Sequence, residues 1–154
     1  MTGLPNIKQL ERLVDATGLG NAARMSLLLI DVIDLKQINT VHGRSVGDDV
    51  LRHVVRQTRA GLQVADLLFR YGSDEFVALL NDADPATATA IASHIRDNIR
   101  DQPLAVIGGN AIKVDVTVTC VCAPRDGQRL QDLMSVARLK MAPPATKHQG
   151  PRVH

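Results

Sequence analysis

The sequence predicts one α/β domain, a central mixed sheet with helices packed on it. Apolar runs of strand length, at 25–30, 67–71 and 112–122, alternate with segments whose apolar residues recur at helical spacing. The order that results is helix, strand, helix, helix, strand, strand, helix, strand, strand, helix. Hairpins mixed with crossover helices give a sheet covered by helices. A chain of 154 residues fits a single domain. There is no internal repeat and no low-complexity segment.

Each element has a local reason. After the turn-rich Thr2-Gly3-Leu4-Pro5-Asn6, residues Ile7, Leu10, Leu13 and Val14 recur at helical spacing until Gly18 and Gly20. Met25 to Ile30 is a continuous apolar run ending in Asp31, as expected of a fully buried strand. Asp34 to His42 reads as a short helix with Leu35, Ile38 and Val41 on one face, Asn39 on another, and Gly43 as its stop. Ser45-Val46-Gly47-Asp48 matches a capping box, and Val50, Leu51, Val54, Val55 and Leu62 give the helix after it an apolar face. Arg52, Arg56 and Arg59 lie towards the other side, as a solvated basic face. Asp84-Pro85 starts another helix, with Ala88, Ile91, Ile95 and Ile99 as its buried stripe and Pro103 as its end. Residues 104–107 and 112–122 read as strands joined by Gly108-Gly109-Asn110, and a last helix runs from about Leu130 to Met141. The domain is expected over residues 1–142, with 143–154, after Pro143-Pro144, as a loose tail or linker.

Composition narrows the function. The apolar fraction is 45%, but only three residues are aromatic, so the core is aliphatic. A formal net charge of +2 gives no case for nucleic-acid binding. No run reaches transmembrane length, and the N-terminus lacks a signal-peptide pattern, so no membrane contact and a cytoplasmic location are expected. Cys120 and Cys122, the only cysteines, sit two apart in a strand-like run. They read as reduced thiols on one face rather than a redox pair or metal site.

Residues 67–80 hold all three aromatics, Phe69, Tyr71 and Phe76, and read as a hairpin around Gly72-Ser73-Asp74-Glu75. Gly72 is expected to give the turn its backbone freedom. Adjacent acids on a turn repel unless a cation offsets them, and a metal ion and Arg70 are both candidates. A solvated acidic turn is the plainer alternative. Asp31, at the end of a buried strand, suits a metal ligand, and equally a helix cap or a solvated strand end.

Four blocks together resemble the diguanylate cyclase (GGDEF) family. Arg70-Tyr71-Gly72-Ser73-Asp74-Glu75-Phe76 is similar to its signature hairpin. Residues 30–39 resemble its Asp-x-Asp-x-Phe-Lys-x-Ile-Asn block, 42–48 its Gly-His-x-x-Gly-Asp element, and 116–123 its Val-Thr-Val-Ser-Ile-Gly-Val-Ala strand. The opening also resembles the Leu-Thr-Gly-Leu-Pro-Asn-Arg that starts such domains. The resemblance implies a nucleotidyl-cyclase-like fold with a mostly antiparallel five-stranded sheet. It also implies that two domains, each holding one GTP, face each other and make cyclic di-GMP. By position, Asp31, Asp74 and the Val32 carbonyl would hold Mg2+ or Mn2+, and Asn39 and Asp48 would recognise guanine. Lys36 and Lys147 would contact phosphate. Gly72, Ser73, Asp74 and Glu75 would form the catalytic signature, with Glu75 near the reacting ribose.

The departures from the pattern matter as much. Ser73 replaces a glycine, Ile33 an aspartate, and Val121 a glycine, while Pro151 stands where a phosphate-binding arginine is usual. The product-inhibition Arg-x-x-Asp is reduced to Gln63-Val64-Ala65-Asp66, which implies no inhibition of that type. The expectation is a degenerate regulatory or GTP-binding module with weak or no cyclase activity. An active cyclase tolerant of Ser73 and a dimerisation scaffold that binds no nucleotide are the alternatives. A homodimer, or neighbouring sensor and phosphodiesterase domains of a longer chain from which this is an excised piece, are the expected partners.

Overall fold

The computed structural model describes residues 25–63, 66–105, 111–123, 125–127 and 129–141, with the isolated positions Lys8 and Arg12. The elements are β1 (Met25–Val32), α1 (Leu35–His42), α2 (Arg44–Ala60), β2 (Leu67–Arg70), β3 (Glu75–Asn81) and α3 (Pro85–Asp101). They are followed by β4 (Leu104–Ala105), β5 (Ala111–Ile112), β6 (Val116–Ala123) and α4 (Leu130–Met141). Lys8 and Arg12 are helical, and the rest of the expected first helix lies outside the described residues. So do the 106–110 turn, Pro143-Pro144 and the expected tail. Among the described residues no helix is long and apolar enough to cross a membrane.

The fold is α+β. The main sheet has strand order β2-β3-β1-β6, and each neighbouring pair is antiparallel. Among the described residues it therefore has four strands rather than five, and no parallel pair. The single strand expected over 112–122 is split: β5 pairs with β4 in a separate two-stranded ribbon, and β6 begins at Val116. Asp115 marks the break. Its carboxylate accepts from the Val116 amide at 2.8 Å, and its carbonyl from the Ile33 amide at 3.0 Å, which steers the chain from the ribbon into the sheet.

Helices cover both faces of the sheet. On one face Leu28, Ile30, Phe76, Ala78 and Leu80 pack with Val50 and Val54 of α2 and Ile95 and Ile99 of α3. On the other, Leu27, Leu29, Val77 and Leu79 pack with Leu133 and Ala137 of α4. Burial on both sides is why β1 and β3 read as continuous apolar runs instead of alternating ones. Cys120 and Cys122 face the same way, with sulfurs 4.0 Å apart, and both are free. Burial and the neighbouring thiol push the Cys120 pKa up to about 12, which fits an unreactive thiol.

Two helix starts differ in kind. At α3 the Asp84 carboxylate accepts from the Thr87 amide at 2.8 Å and Pro85 opens the first turn, as the sequence predicts. At α2 the expected capping box does not form. Arg44 already begins the helix, and Gly43, at φ 93°, is its cap with no side-chain bond. The left-handed backbone of Gly43 lets α1 and α2 join with one residue between them. Ser45 then falls inside the first turn, and Asp48 is released from a capping role.

Leu29→Ala, on the interior strand β1 and fully buried against α4, is expected to cost about 2–5 kcal/mol. Urea unfolding of the two proteins checks this, and a loss under about 1 kcal/mol would mean that α4 is not packed as described.

Candidate active site

The register of the sheet gathers the acids at one end. β1 and β3 pair from Met25↔Asn81 to Asp31↔Glu75. Directly opposed residues share a face with Cβ atoms roughly 5 Å apart, so Asp31 and Glu75 project together on the α4 side. Asp31 is a strand residue, also opposite Thr117 of β6, and Asp34 instead precedes α1, so the helix-cap reading of Asp31 falls away. The Val32 amide donates to the Asp74 carbonyl at 2.9 Å, tying the tip of the hairpin to the end of β1.

The turn is braced from within. The Tyr71 and Gly72 amides both donate to the Glu75 carbonyl, at 2.9 and 3.3 Å. Arg70 donates through Nε to the Gly72 carbonyl at 2.9 Å and through Nη2 to the Ser73 carbonyl at 2.7 Å. Gly72 does not serve as expected. Neither it nor Ser73 has a positive φ. The glycine gives room instead, because a Cβ there would stand 3.0 Å from Glu75 Oε1. Ser73 is exposed and its backbone suits any L-residue, so the serine brings bulk but no strain.

Glu75 is buried and fully engaged. Arg138 of α4 donates to it in a fork, Nη1 to Oε2 at 2.6 Å and Nη2 to Oε1 at 2.9 Å. The Arg138 guanidinium also lies over the Tyr71 ring, 4.9 Å from its centroid. The sequence reading assigned Arg138 no role. A signal was available: Leu130, Met134 and Arg138 are spaced by four, which sets a cation at the end of a helix's buried stripe.

A cleft of about 340 Å³ lies between α1, α2 and the hairpin. Lys36, Asn39, Asp48, Ser73 and Asp74 line it, together with Arg44. It therefore brings together five of the residues singled out in the sequence, from three separate elements. Asp31 and Glu75 are on the α4 side of the sheet end, and Lys147 lies outside the described residues. Gly47 explains how two helices share this space. A Cβ at Gly47 would sit 1.6 Å from Asn39 Oδ1, so the Asn39 amide rests in the gap that the glycine leaves, one residue from Asp48.

Electrostatics favour a cation at the sheet end. Burial, then the charges of Asp74 and Glu75, raise the Asp31 pKa from its ordinary 3.8 to about 6, and Arg138 opposes that shift. Yet among the described residues no three His, Cys, Asp or Glu side chains are placed to hold a metal by themselves. The two observations agree once Glu75 is seen turned onto Arg138, which leaves Asp31 and Asp74 as the carboxylates without that partner.

Asp66 has a structural use. Its two oxygens accept from the Asn81 amide at 3.0 Å and the Gln63 amide at 2.8 Å, holding the approach to β2 against the end of β3.

Residues 1–150 match the family described as "Diguanylate cyclase, GGDEF domain". The chain belongs to the GGDEF family. The response regulator PleD of Caulobacter vibrioides is 36% identical over 123 residues, which are 77% of this chain and 27% of PleD. Diguanylate cyclase A of Treponema denticola is 33% identical over 95 residues, 62% of this chain and 25% of that protein. The chain thus spans about a quarter of the length of these relatives. Among solved structures, the GGDEF domain of YfiN (TpbB) from Pseudomonas aeruginosa superposes with a TM-score of 0.79 at 28% identity, covering 90% of this chain and 88% of that one. The fold of this GGDEF domain is thereby matched over nearly its whole length.

Two variants probe the geometry. Gly47→Ala must displace the Asn39 side chain, whose far end is free to move, so the protein should stay folded. A nucleotide held through Asn39, tested with a non-hydrolysable GTP analogue, would then bind at least about tenfold more weakly, roughly 1.4 kcal/mol. Unchanged affinity would remove Asn39 from the site. The second variant is Asp31→Asn. The raised folded pKa means that ionising Asp31 costs more in the folded than in the unfolded chain. Its contribution is unchanged below 3.8, falls as pH rises from 3.8 to about 6, and stays low above that. Asp31→Asn should thus raise the Tm above pH of about 6 and lose that advantage below pH of about 4. A metal-free melting series checks this, and a pH-independent difference would contradict it.

Proposed function

We propose that this GGDEF domain is a GTP-binding regulatory module of cyclic di-GMP signalling with weak or no cyclase activity. The observation that carries the reading is the cleft in which Asn39, Asp48 and Asp74 converge. An amide and a carboxylate side by side can pair with the acceptor and donor edges of guanine. Lys36 is suited to a phosphate contact, and Lys147 is assigned the same role by family position alone.

The donor set fits a hard divalent ion. Asp31 and Asp74 are oxygen ligands in mutual repulsion, and the Val32 carbonyl is next in sequence. Mg2+ is commonly bound by one or two carboxylates completed by substrate phosphates and water, so two available acids are sufficient. When bound, the ion neutralises triphosphate charge and polarises the phosphate under attack. Mn2+ fits the same oxygens.

Weak turnover follows from what surrounds those acids. Ile33 removes a carboxylate, Ser73 adds a side chain at the cleft, and Glu75 is committed to Arg138. Losing one group that stabilises developing charge costs about a hundred-fold or more in rate. One observation favours the other reading, an active cyclase. Ser73 sits on unstrained backbone, so the signature loop accepts it without distortion. The relative from Treponema denticola carries the name diguanylate cyclase. In either reading a second copy of the domain or adjoining signalling domains are the partners.

The test is isothermal titration of the domain with a non-hydrolysable GTP analogue and magnesium, with Asp48→Ala as control. Binding in the parent, lost by at least about tenfold in the control, is expected. No binding at millimolar nucleotide would overturn the proposal and leave a scaffold. Pyrophosphate release from GTP that Asp74→Ala abolishes would replace the regulatory reading with the enzymatic one.

A further inference from the structure

We propose that Arg138 is a built-in counter-cation that withholds Glu75 from the metal site, so that this chain takes up a divalent ion only together with nucleotide phosphates. The inference rests on the metal reading of Asp31 and Asp74 given above.

Four observations support it. Glu75 lies opposite Asp31 in the β1–β3 register, on the same face, and with Asp74 its charge acts on Asp31, so it is a third carboxylate beside the pair. Both of its oxygens are taken by one guanidinium, at 2.6 and 2.9 Å, in the fork geometry that a planar donor pair makes with a carboxylate. The Glu75 side chain is 10% exposed, so the surrounding protein rather than water sets its partner. The guanidinium is itself held over the Tyr71 ring, which fixes where its charge stands.

The consequence is a matter of charge and ligand count. Three free acids at one sheet end would bind a divalent ion without help, because removing their mutual repulsion stabilises them. With Arg138 in place one acid is neutralised, and its cation repels a second cation nearby. What remains is two carboxylates, a set that needs phosphate oxygens to complete the shell. Arg138 thereby couples metal uptake to nucleotide without touching either. It is a positioning residue: it acts through Glu75.

Titration with Mn2+ alone, without nucleotide, at pH about 8, reads the effect. The parent should bind weakly. Arg138→Gln should bind Mn2+ at least about tenfold more tightly, Arg138→Lys, which keeps the charge, should stay near the parent, and Arg138→Gln/Glu75→Gln should return to the parent value. Arg138→Met, which keeps an apolar stem against Tyr71, makes the same comparison if Arg138→Gln does not fold. Neutral variants that bind Mn2+ no better than the parent, or a double variant that binds as tightly as Arg138→Gln, would overturn the proposal. Because no nucleotide is present, that failure is separate from a failure to bind the GTP analogue.

Discussion

The cross-strand pairing of β1 with β3 is the constraint on which the rest depends. Its register decides which side chains of two apolar runs enter which of two cores, and it brings Asp31 opposite Glu75 at the charged end of a largely apolar ladder. A slip of one residue would turn every side chain of a strand to the wrong face. Both faces are buried, so the register is held by helices on either side. The position of the acids follows from the packing of Leu27, Leu29, Val77 and Leu79 as much as from the turn.

The local architecture also divides labour between the two faces. The α1–α2 side carries the cleft, with Asn39 seated against Gly47. The α4 side carries the ion pair and the aromatic ring. The hairpin tip lies between them, so a ligand in the cleft and a charge on α4 meet through residues 72–75. A helix that looks like plain core packing thus contributes to the electrostatics of the site.

Much of this was legible in the sequence, and what was not has physical causes. Strands with unbroken apolar runs, the Asp84-Pro85 start and the shared face of Cys120 and Cys122 are encoded locally, and each was read correctly. Asn39, Asp48 and Asp74 were singled out by the family resemblance, and the fold places all three along one cleft. Three readings went astray because the deciding partner is distant in sequence or competes locally. The Ser45–Asp48 capping box satisfied its pattern, but Gly43 had already started the helix. The 112–122 run satisfied a strand pattern, but Asp115 bonds to its own neighbour and bends the chain. Gly72 was read as a conformational device, whereas its missing side chain makes room for Glu75. Arg138 is the clearest omission. Its partner is 63 residues away, and no window along the chain contains both.

Asp66 bears on how such domains are altered by design. A carboxylate left from half of a two-residue pattern invites restoring the other half, here an arginine at position 63. But the acid already serves as a clasp, gripping one amide before β2 and one at the end of β3. A ligand arriving there would have to share oxygens that already hold these two amides, using only the acceptor directions they leave open. Adding a guanidinium alone would set a cation beside an acid whose orientation the two amides already fix, so reviving such a site means fitting the ligand to that orientation.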